Sequence, residues 1–240
     1  MKKLFFTLLA LVGTMSMNAQ IINVYDGDQL VLKHRVMNSG KVVFEAVPVF
    51  PFGQGEAEAT GIGIVKWIQL WDGGPKFAEY NVGVTDGKAE SYGGYYAWGG
   101  SKSKGDDHNT DESNLSCTGN YITDTATKFW GSKWRMPTKE EFDNLLANCT
   151  VEWTNVNGLN GCKFTGKGDY SSNSVFLPAA GQCNDGKVGF QDYSGDYWSS
   201  TPFSDHSAYC LDFYQREQNV YHLTRDGAVY SVRAVLNETK

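Results

Sequence analysis

The chain has 240 residues, of which 21 are basic and 27 acidic, and its formal net charge is −6. An acidic chain without a lysine or arginine cluster is a poor candidate for binding nucleic acid, so we expect no nucleic-acid partner. Aromatic residues make up 14% of the chain and glycine occurs 27 times. This composition favours many short strands and loops around an aromatic core.

Residues 1–19 have the pattern of a secretory signal peptide. Lys2 and Lys3 precede an apolar run at 4–12 that is too short to span a bilayer, and small and polar residues lead to Ala19. We expect cleavage after Ala19, because signal peptidase requires a small residue there. No later stretch approaches the roughly 18 apolar residues of a membrane helix. We therefore expect an exported chain without a transmembrane segment, located in the periplasm, at the cell surface or outside the cell.

Residues 20–62 differ from the rest of the chain. The runs IINVYDG, QLVLKHRV and KVVFEAVPVF are β-branched and are divided by turn residues at 26–27 and 38–40, which predicts two or three strands in a β-hairpin segment. PFGQGEAEATGIG at 51–63 is rich in small residues and predicts a linker or long loop. A segment of about 40 residues is too small to form a stable core alone, so we expect it to pack against the main domain at 63–240.

The main domain begins with WIQLWDGGPKFAEYNVG, which predicts two strands around a turn at 72–75. A short helix at 125–130 has Asp124 as its cap. The clearest helix begins at Thr138, because Thr138 and Glu141 form the T-x-x-E capping box and an apolar stripe follows. The stripe consists of Phe142, Leu145, Leu146 and Cys149. The remaining chain predicts strands and loops.

Two patterns that suggest metal or thiol chemistry are incomplete. The acidic stretch Asp107–Asp111 resembles the first half of a calcium loop, but Glu112 replaces the required glycine, so we expect a solvated loop without metal or cofactor. The cysteine count is odd, which permits a disulfide in an exported protein but leaves its pairing open, and the spacing matches no zinc site. The five cysteines are Cys117, Cys149, Cys162, Cys183 and Cys210.

The C-terminal third carries the candidate binding residues. Tyr209, Leu211 and Phe213 alternate with polar residues, which predicts a strand with one buried face. Around it lie residues of the types that supply rigid contact area and hydrogen bonds at binding surfaces. We select Asp212, Tyr214, Arg216, Gln218, Tyr221, His222 and Arg225 as ligand-binding candidates. An ordinary polar sheet edge explains the same pattern.

Several segments in order resemble the Fibrobacter succinogenes major paralogous domain, a family of exported bacterial proteins. They are WIQLWDGGPKFAEYNVG, YGGYYAWGG, WGSKWRMPTKEEFDNLLANC, NSVFLPAAG, YWSST and YSVRAV, and they cover about residues 64–236. That family is similar to the C-type lectin-like fold. The resemblance implies an α+β domain with short twisted antiparallel strands, one or two helices and long loops. The small β-hairpin segment that precedes this domain lies outside the match.

The resemblance implies a fold rather than an activity. We expect a non-enzymatic binding module that holds a protein or glycan ligand at residues 204–225. In the similar retroelement-diversified proteins, the binding face corresponds to about residues 204–230. The motifs of calcium-dependent sugar-binding lectins are missing, and Arg135 is expected to brace the fold. One alternative is a cysteine-dependent enzyme related to formylglycine-generating enzymes, with Cys210 or Cys183 as nucleophile, although those enzymes use two neighbouring C-terminal cysteines and Cys210 has no such neighbour. Another is a structural subunit of a surface assembly, whose N-terminal strands pair with a neighbour's sheet.

Overall fold

The structure is a computed structural model, and it describes residues 21–26, 29–36, 42–46, 50–99, 124–184, 187–224 and 228–238. The chain divides into two units, Met1–Phe50 and Pro51–Lys240. The predicted signal peptide, the acidic loop at 107–111, Cys117 and Arg225 lie outside the described residues.

The first unit contains an antiparallel three-stranded sheet. Its strands are β1 (Ile21–Asp26), β2 (Gln29–Val36) and β3 (Val42–Ala46), with β2 in the centre. Each of the three strands lies within one of the β-branched runs from which the sequence predicts strands. The prediction of two or three strands is confirmed.

The second unit consists mostly of antiparallel strands with two helices, which is compatible with the α+β class. Its elements are β4 (Gln54–Ala59), β5 (Gly63–Gln69), β6 (Lys76–Ala78), β7 (Tyr96–Ala97), α1 (Thr125–Trp130), β8 (Trp134–Arg135), α2 (Lys139–Asn148), β9 (Thr150–Val156), β10 (Leu159–Thr165), a 3₁₀ turn (Gly168–Tyr170), β11 (Ser174–Pro178), β12 (Gln182–Asn184), β13 (Lys187–Gly189), β14 (Ser194–Ser204), β15 (Ser207–Tyr214), β16 (Glu217–Thr224), β17 (Ala228–Tyr230) and β18 (Val235–Leu236). They form four sheets, ordered β4-β5-β6-β18-β8, β13-β12-β17-β7, β11-β10-β9 and β14-β15-β16.

The prediction of a linker or long loop at 51–63 is wrong for the central part of this stretch, because Gln54–Ala59 forms β4 at the edge of the five-stranded sheet. The small and acidic residues of this stretch have low strand propensity. Pairing with β5 along the whole strand overrides that propensity, and Ala59 is buried. The carbonyl of Glu58 accepts a hydrogen bond from the Trp134 indole at 3.0 Å, which ties β4 to the core.

Both helices begin at the predicted caps. Asp124 accepts a hydrogen bond from the Thr127 amide at 2.9 Å at the start of α1. At the start of α2, the Thr138 hydroxyl accepts from the Glu141 amide, and the Glu141 carboxylate accepts from the Thr138 amide at 2.8 Å, which completes the capping box. The apolar stripe of α2 faces the core, because Phe142 and Leu145 are fully buried.

Arg135 braces the start of α2. Its guanidinium forms two hydrogen bonds with the Glu141 carboxylate, at 2.8 and 2.6 Å, and a third with the Met136 carbonyl at 3.1 Å. The same carboxylate thus caps the helix and pairs with Arg135. The indoles of Trp130 and Trp134 meet edge to face at 5.4 Å beside this brace.

The sheet β14-β15-β16 lies between the two larger core clusters. The first cluster contains Trp198 and Cys210, and the second contains Leu211 and Phe213. The prediction that β15 buries only one face is therefore wrong, since Cys210 and Leu211 are both fully buried on opposite faces. A central strand covered on both sides lacks the polar alternation of a half-exposed strand.

Candidate functional site

The structure places six of the seven candidate binding residues on the last two strands of this sheet and their turn. Asp212 and Tyr214 lie on β15, Arg216 lies in the two-residue turn, and Gln218, Tyr221 and His222 lie on β16. Arg225 is outside the described residues. The candidates thus share one region of the molecule, at the strand that ends the sheet.

The six candidates do not share one face. Asp212 is opposite Asn219, and Tyr214 is opposite Glu217. Because side chains alternate along a strand, Asp212, Tyr214 and Tyr221 lie on one face together with Asn219 and Glu217, whereas Gln218 and His222 lie on the other. We call Phe203, Tyr214, Arg216 and residues 217–224 the β16 margin.

Three aromatic rings form a stacked column in the β16 margin. The rings of Phe203 and His222 are parallel within 5°, with centroids 3.7 Å apart, and those of His222 and Tyr221 are 4.7 Å apart at 17°. Tyr209 meets Phe203 and His222 edge-on. Phe203 and Tyr221 are 49% and 54% exposed, so the column presents aromatic surface to solvent.

A polar group occupies the margin beside the turn. The Tyr214 hydroxyl donates a hydrogen bond to the Glu217 carboxylate, and the Asn219 amide donates to the same carboxylate at 2.7 Å. The hydrogen bond from Tyr214 lowers the pKa of Glu217, which keeps the carboxylate ionised. An exposed tyrosine, a carboxylate and the Arg216 side chain in the turn together offer donors and acceptors within a few residues.

Asp212 forms a carboxyl pair with Asp196, directly opposite on β14. Burial, followed by the charge of Asp212 and the hydrogen bond between the two carboxyls, raises the pKa of Asp196 to about 7. Burial also raises the pKa of Asp212, against the opposing effect of that hydrogen bond. Near neutral pH the pair therefore holds one proton, which Asp196 donates to Asp212, because two adjacent buried carboxylates repel each other.

Cys210, one of the two candidate nucleophiles, lacks the environment of an activated thiol. Cys149, Cys162, Cys183 and Cys210 are free and buried. Burial, followed by the charges of Asp196 and Asp212, raises the pKa of Cys210, whereas a nucleophilic thiol needs a lowered pKa and access to substrate. The contacts of Cys210 do not favour the cysteine-dependent enzyme.

Sequence reasoning missed the contribution of Asp196 to this region. Phe203, Glu217 and Asn219 lie in or next to the predicted binding segment, but they were not selected as ligand-binding candidates. Counting back from the turn between β14 and β15 places Asp212 opposite Ser199. The register shifts between Trp198 and Pro202 and again between Pro202 and Ser204, so Asp196 takes that position instead. A bulge of this kind leaves no sequence signal apart from Pro202 within the strand.

A second exposed aromatic pair, Phe190 and Tyr193, lies in the connection before β14. Phe190 and Asp192 have φ values of 61° and 65°, a backbone region that side chains rarely adopt. Asp192 holds this connection, since its carboxylate accepts a hydrogen bond from the Asn160 amide at 3.0 Å. These residues stand apart in sequence from the β16 margin, and the polar residues between them, Gln191 and Asp192, form hydrogen bonds within the fold, to Tyr95 and Asn160.

Within the described residues, no group of three or more His, Cys, Asp or Glu side chains is placed to hold a metal ion. No described helix has the length and apolar character needed to cross a membrane. Comparison with protein-family models, with curated proteins and with solved structures found no match to this chain.

Proposed function

We propose that the chain is an exported, non-enzymatic binding module that recognises a protein or glycan ligand through the β16 margin. Export rests on the signal-peptide pattern of residues 1–19 and implies the periplasm, the cell surface or the extracellular space. The proposal assigns no catalytic group and no cofactor.

We propose a C-type lectin-like fold of the Fibrobacter succinogenes major paralogous type for the second unit. Short antiparallel strands and two helices support it, as do the positions of the segments that carry the resemblance. WGSKWRMPTKEEFDNLLANC includes the buried Trp130 and Trp134 and helix α2, and YWSST lies in β14. These segments form the core, and the binding candidates follow them on β15 and β16.

The observation that carries the binding function is the exposed aromatic column with the polar group beside it. Tyr214 and Tyr221 are 41% and 54% exposed although each lies in a regular strand. Rigid aromatic rings provide contact area at a low entropic cost, and the carboxylate of Glu217 and the guanidinium of Arg216 add directional hydrogen bonds. An ordinary sheet edge needs no ordered stack of Phe203, His222 and Tyr221.

The two faces of β16 give the candidate residues different roles. Tyr214 and Tyr221 supply the stacking surface on one face, with Asp212 as an acceptor behind them. His222 is held between Phe203 and Tyr221, so it orients the column as well as offering ring nitrogens to a ligand. Arg216 projects from the turn and supplies charge-assisted hydrogen bonds.

A glycan and surface-protein array with the labelled protein tests this function. We expect a ligand that the wild type binds and the Tyr214→Ala, Arg216→Ala, Tyr221→Ala variant does not. A matched control replaces Phe190 and Tyr193 with alanine, which removes two exposed rings elsewhere. Both variants should keep their melting temperatures, because the substituted side chains are exposed.

Undiminished binding of the triple variant, or equal loss in the Phe190→Ala, Tyr193→Ala control, contradicts a site at the β16 margin. Unfolding of the triple variant contradicts the assignment of these side chains to a binding surface, since they then carry the stability of the sheet.

A further inference from the structure

The stacked column of Phe203, His222 and Tyr221 has Tyr221 at one end. His222 lies between the other two rings. Because Tyr221 and His222 are neighbours in sequence, their side chains leave opposite faces of β16, so the column crosses the outer side of this strand from one face of the sheet to the other. Tyr221 ends the column on the face of Asp212. Its ring is 54% exposed, and among the described residues no ring other than that of His222 and no cation lies against it.

The face of the sheet on which Tyr221 lies also carries all the formal charges of β14, β15 and β16. These strands contain three acidic residues and no lysine or arginine. Asp196 is opposite Asp212, and Asp212 is opposite Asn219, which lies between Glu217 and Tyr221 in the alternation of side chains on that face. Diagonal neighbours on one face of a sheet lie within reach of an aromatic side chain, so the Tyr221 ring can approach the Asp212 carboxyl group.

This face is negatively charged near neutral pH. The pair of Asp196 and Asp212 holds one proton and keeps one negative charge, and Glu217 is ionised, because the hydrogen bond from a tyrosine hydroxyl lowers its pKa. Arg216 in the turn lies beyond Glu217, which is roughly 13 Å from Tyr221 along an extended strand. The Arg216 side chain therefore lies at the end of the face near Glu217, and the end at Tyr221 keeps its negative potential.

Two other aromatic rings of the second unit already hold a cation. The Lys76 ammonium lies 4.7 Å from the centre of the Trp67 ring, and the Lys139 ammonium lies 5.2 Å from the centre of the Tyr209 ring, on the opposite face of β15. Each ammonium also pairs with a carboxylate. A ring together with a carboxylate is thus the arrangement in which this chain places these ammonium groups. The face of Tyr221 offers the ring and the carboxylates, and no described residue supplies the cation.

We propose that the ligand of the β16 margin is a basic segment of a protein, whose lysine or arginine side chain lies over the free face of the Tyr221 ring beside the carboxyl groups of Asp212 and Glu217. This inference rests on the proposed binding function and narrows its ligand from a protein or glycan to a cationic polypeptide. The Tyr214 hydroxyl and the Asn219 amide hold the Glu217 carboxylate in position for a charge-assisted hydrogen bond. A neutral glycan can stack on the ring but leaves the negative charges uncompensated, and an acidic glycan is repelled.

Fluorescence anisotropy of a labelled peptide in which lysine alternates with glycine, at low ionic strength, measures this recognition. We expect the wild type to bind this peptide and not its counterpart with glutamine in place of lysine. Tyr221→Leu should weaken binding at least about threefold, whereas Tyr221→Phe should stay within about twofold, because a phenyl ring keeps the negative face that attracts a cation. Glu217→Gln should weaken binding and reduce its dependence on salt, which keeps the test decisive where Tyr221→Leu unfolds. Tyr193→Leu is the matched control, since it removes a 75% exposed ring elsewhere.

The outcomes separate this inference from the proposed binding function. No binding of the lysine peptide, equal affinities of Tyr221→Leu and Tyr221→Phe, or an equal loss in Tyr193→Leu overturns the cation site at Tyr221. A glycan or an uncharged peptide that binds the wild type, but not the triple alanine variant at Tyr214, Arg216 and Tyr221, also overturns it and supports the binding function. Failure of both the lysine peptide and the array contradicts both proposals.

Discussion

Arg233 is fully buried, and its guanidinium is neutralised by no carboxylate among its described contacts. It donates hydrogen bonds to the carbonyls of Ala78, Glu79 and Phe176, at 2.8 to 3.0 Å, and to the Asn81 side chain at 2.8 Å. Burial lowers its pKa to about 10, so it remains protonated at neutral pH. The residue connects three parts of the chain that are distant in sequence, which makes it a structural centre of the second unit.

The first prediction is that Arg233→Lys destabilises the protein by about 3 kcal/mol, because a single ammonium group cannot reach acceptors that surround a planar guanidinium. Urea unfolding followed by tryptophan fluorescence measures the change. The same substitution at the exposed Arg216 serves as the control and should alter stability by less than about 0.5 kcal/mol. Equal effects at the two sites would show that the network around Arg233 does not stabilise the fold.

The second prediction concerns the pH dependence of Asp196. Its folded-state pKa of about 7 lies above the value of an unfolded aspartate, so the native state holds a proton that the unfolded state releases between about pH 4 and 7. The stability contributed by this proton is complete below pH 4 and is lost as pH rises through 7. We expect unfolding free energy to fall on the order of 2 kcal/mol from pH 5 to pH 8.

Asp196→Asn should remove most of this fall, because the amide donates a hydrogen bond to Asp212 without titrating. The variant should then exceed the wild type in stability at pH 8. Urea unfolding at pH 5, 6.5 and 8 provides the comparison, with Glu152→Gln on the exposed side of β9 as the control. If the stability of the wild type rises from pH 5 to pH 8, the assignment of a shared proton to Asp196 and Asp212 is wrong.

At the scale of elements, hydrogen bonds between residues close in sequence determine where helix α2 begins. The Thr138 hydroxyl and the Glu141 carboxylate satisfy amides that would otherwise lack partners, and the same carboxylate pairs with Arg135. We predict that Thr138→Ala costs about 1 kcal/mol of unfolding free energy, whereas Thr138→Ser keeps the cap and costs little. Thermal unfolding by circular dichroism measures both. Equal melting temperatures for the two variants would contradict a stabilising cap.

The elements also show what the sequence could predict. Helices α1 and α2 were predictable because caps and apolar spacing act within a few residues along the chain. The strand pair at 63–78 was predictable from its glycine turn. β4 was not, because its residues Gln54–Ala59 become a strand only by pairing with β5 and covering the core. Strand formation of this kind depends on tertiary partners that no local pattern contains.

The candidate site divides in the same way. Tyr214, Arg216 and Tyr221 were identified from residue type, and the structure places them at one margin. The pairing of Asp212 with Asp196 could not be predicted from the sequence, because the register shift near Pro202 decides which β14 residue lies opposite Asp212. The alternation of side chains along a strand predicts that His222 and Tyr221 lie on opposite faces of β16. It does not predict that their rings stack.

At the scale of the whole molecule, the second unit closes its own core. β18, near the end of the chain, pairs with β6 and β8, and β4, near the start of the unit, pairs with β5 in the same sheet. The Trp130 carbonyl accepts a hydrogen bond from the Thr60 amide at 2.9 Å, and Asn173 donates to the Phe52 carbonyl at 2.9 Å. Residues just after Pro51 therefore belong to the fold of this unit.

The last prediction compares two shortened chains. A chain beginning at Pro51 should unfold cooperatively with a melting temperature within about 4 °C of the full chain, because it keeps all four sheets of the second unit. A chain beginning at Gly63, the predicted domain start, lacks β4. It loses the strand pair along β5 and the Glu58 carbonyl that accepts a hydrogen bond from Trp134, so we expect a loss of several kcal/mol and a broad transition. Near-ultraviolet circular dichroism during heating distinguishes the two, and equal cooperativity would show that β4 is dispensable for the core.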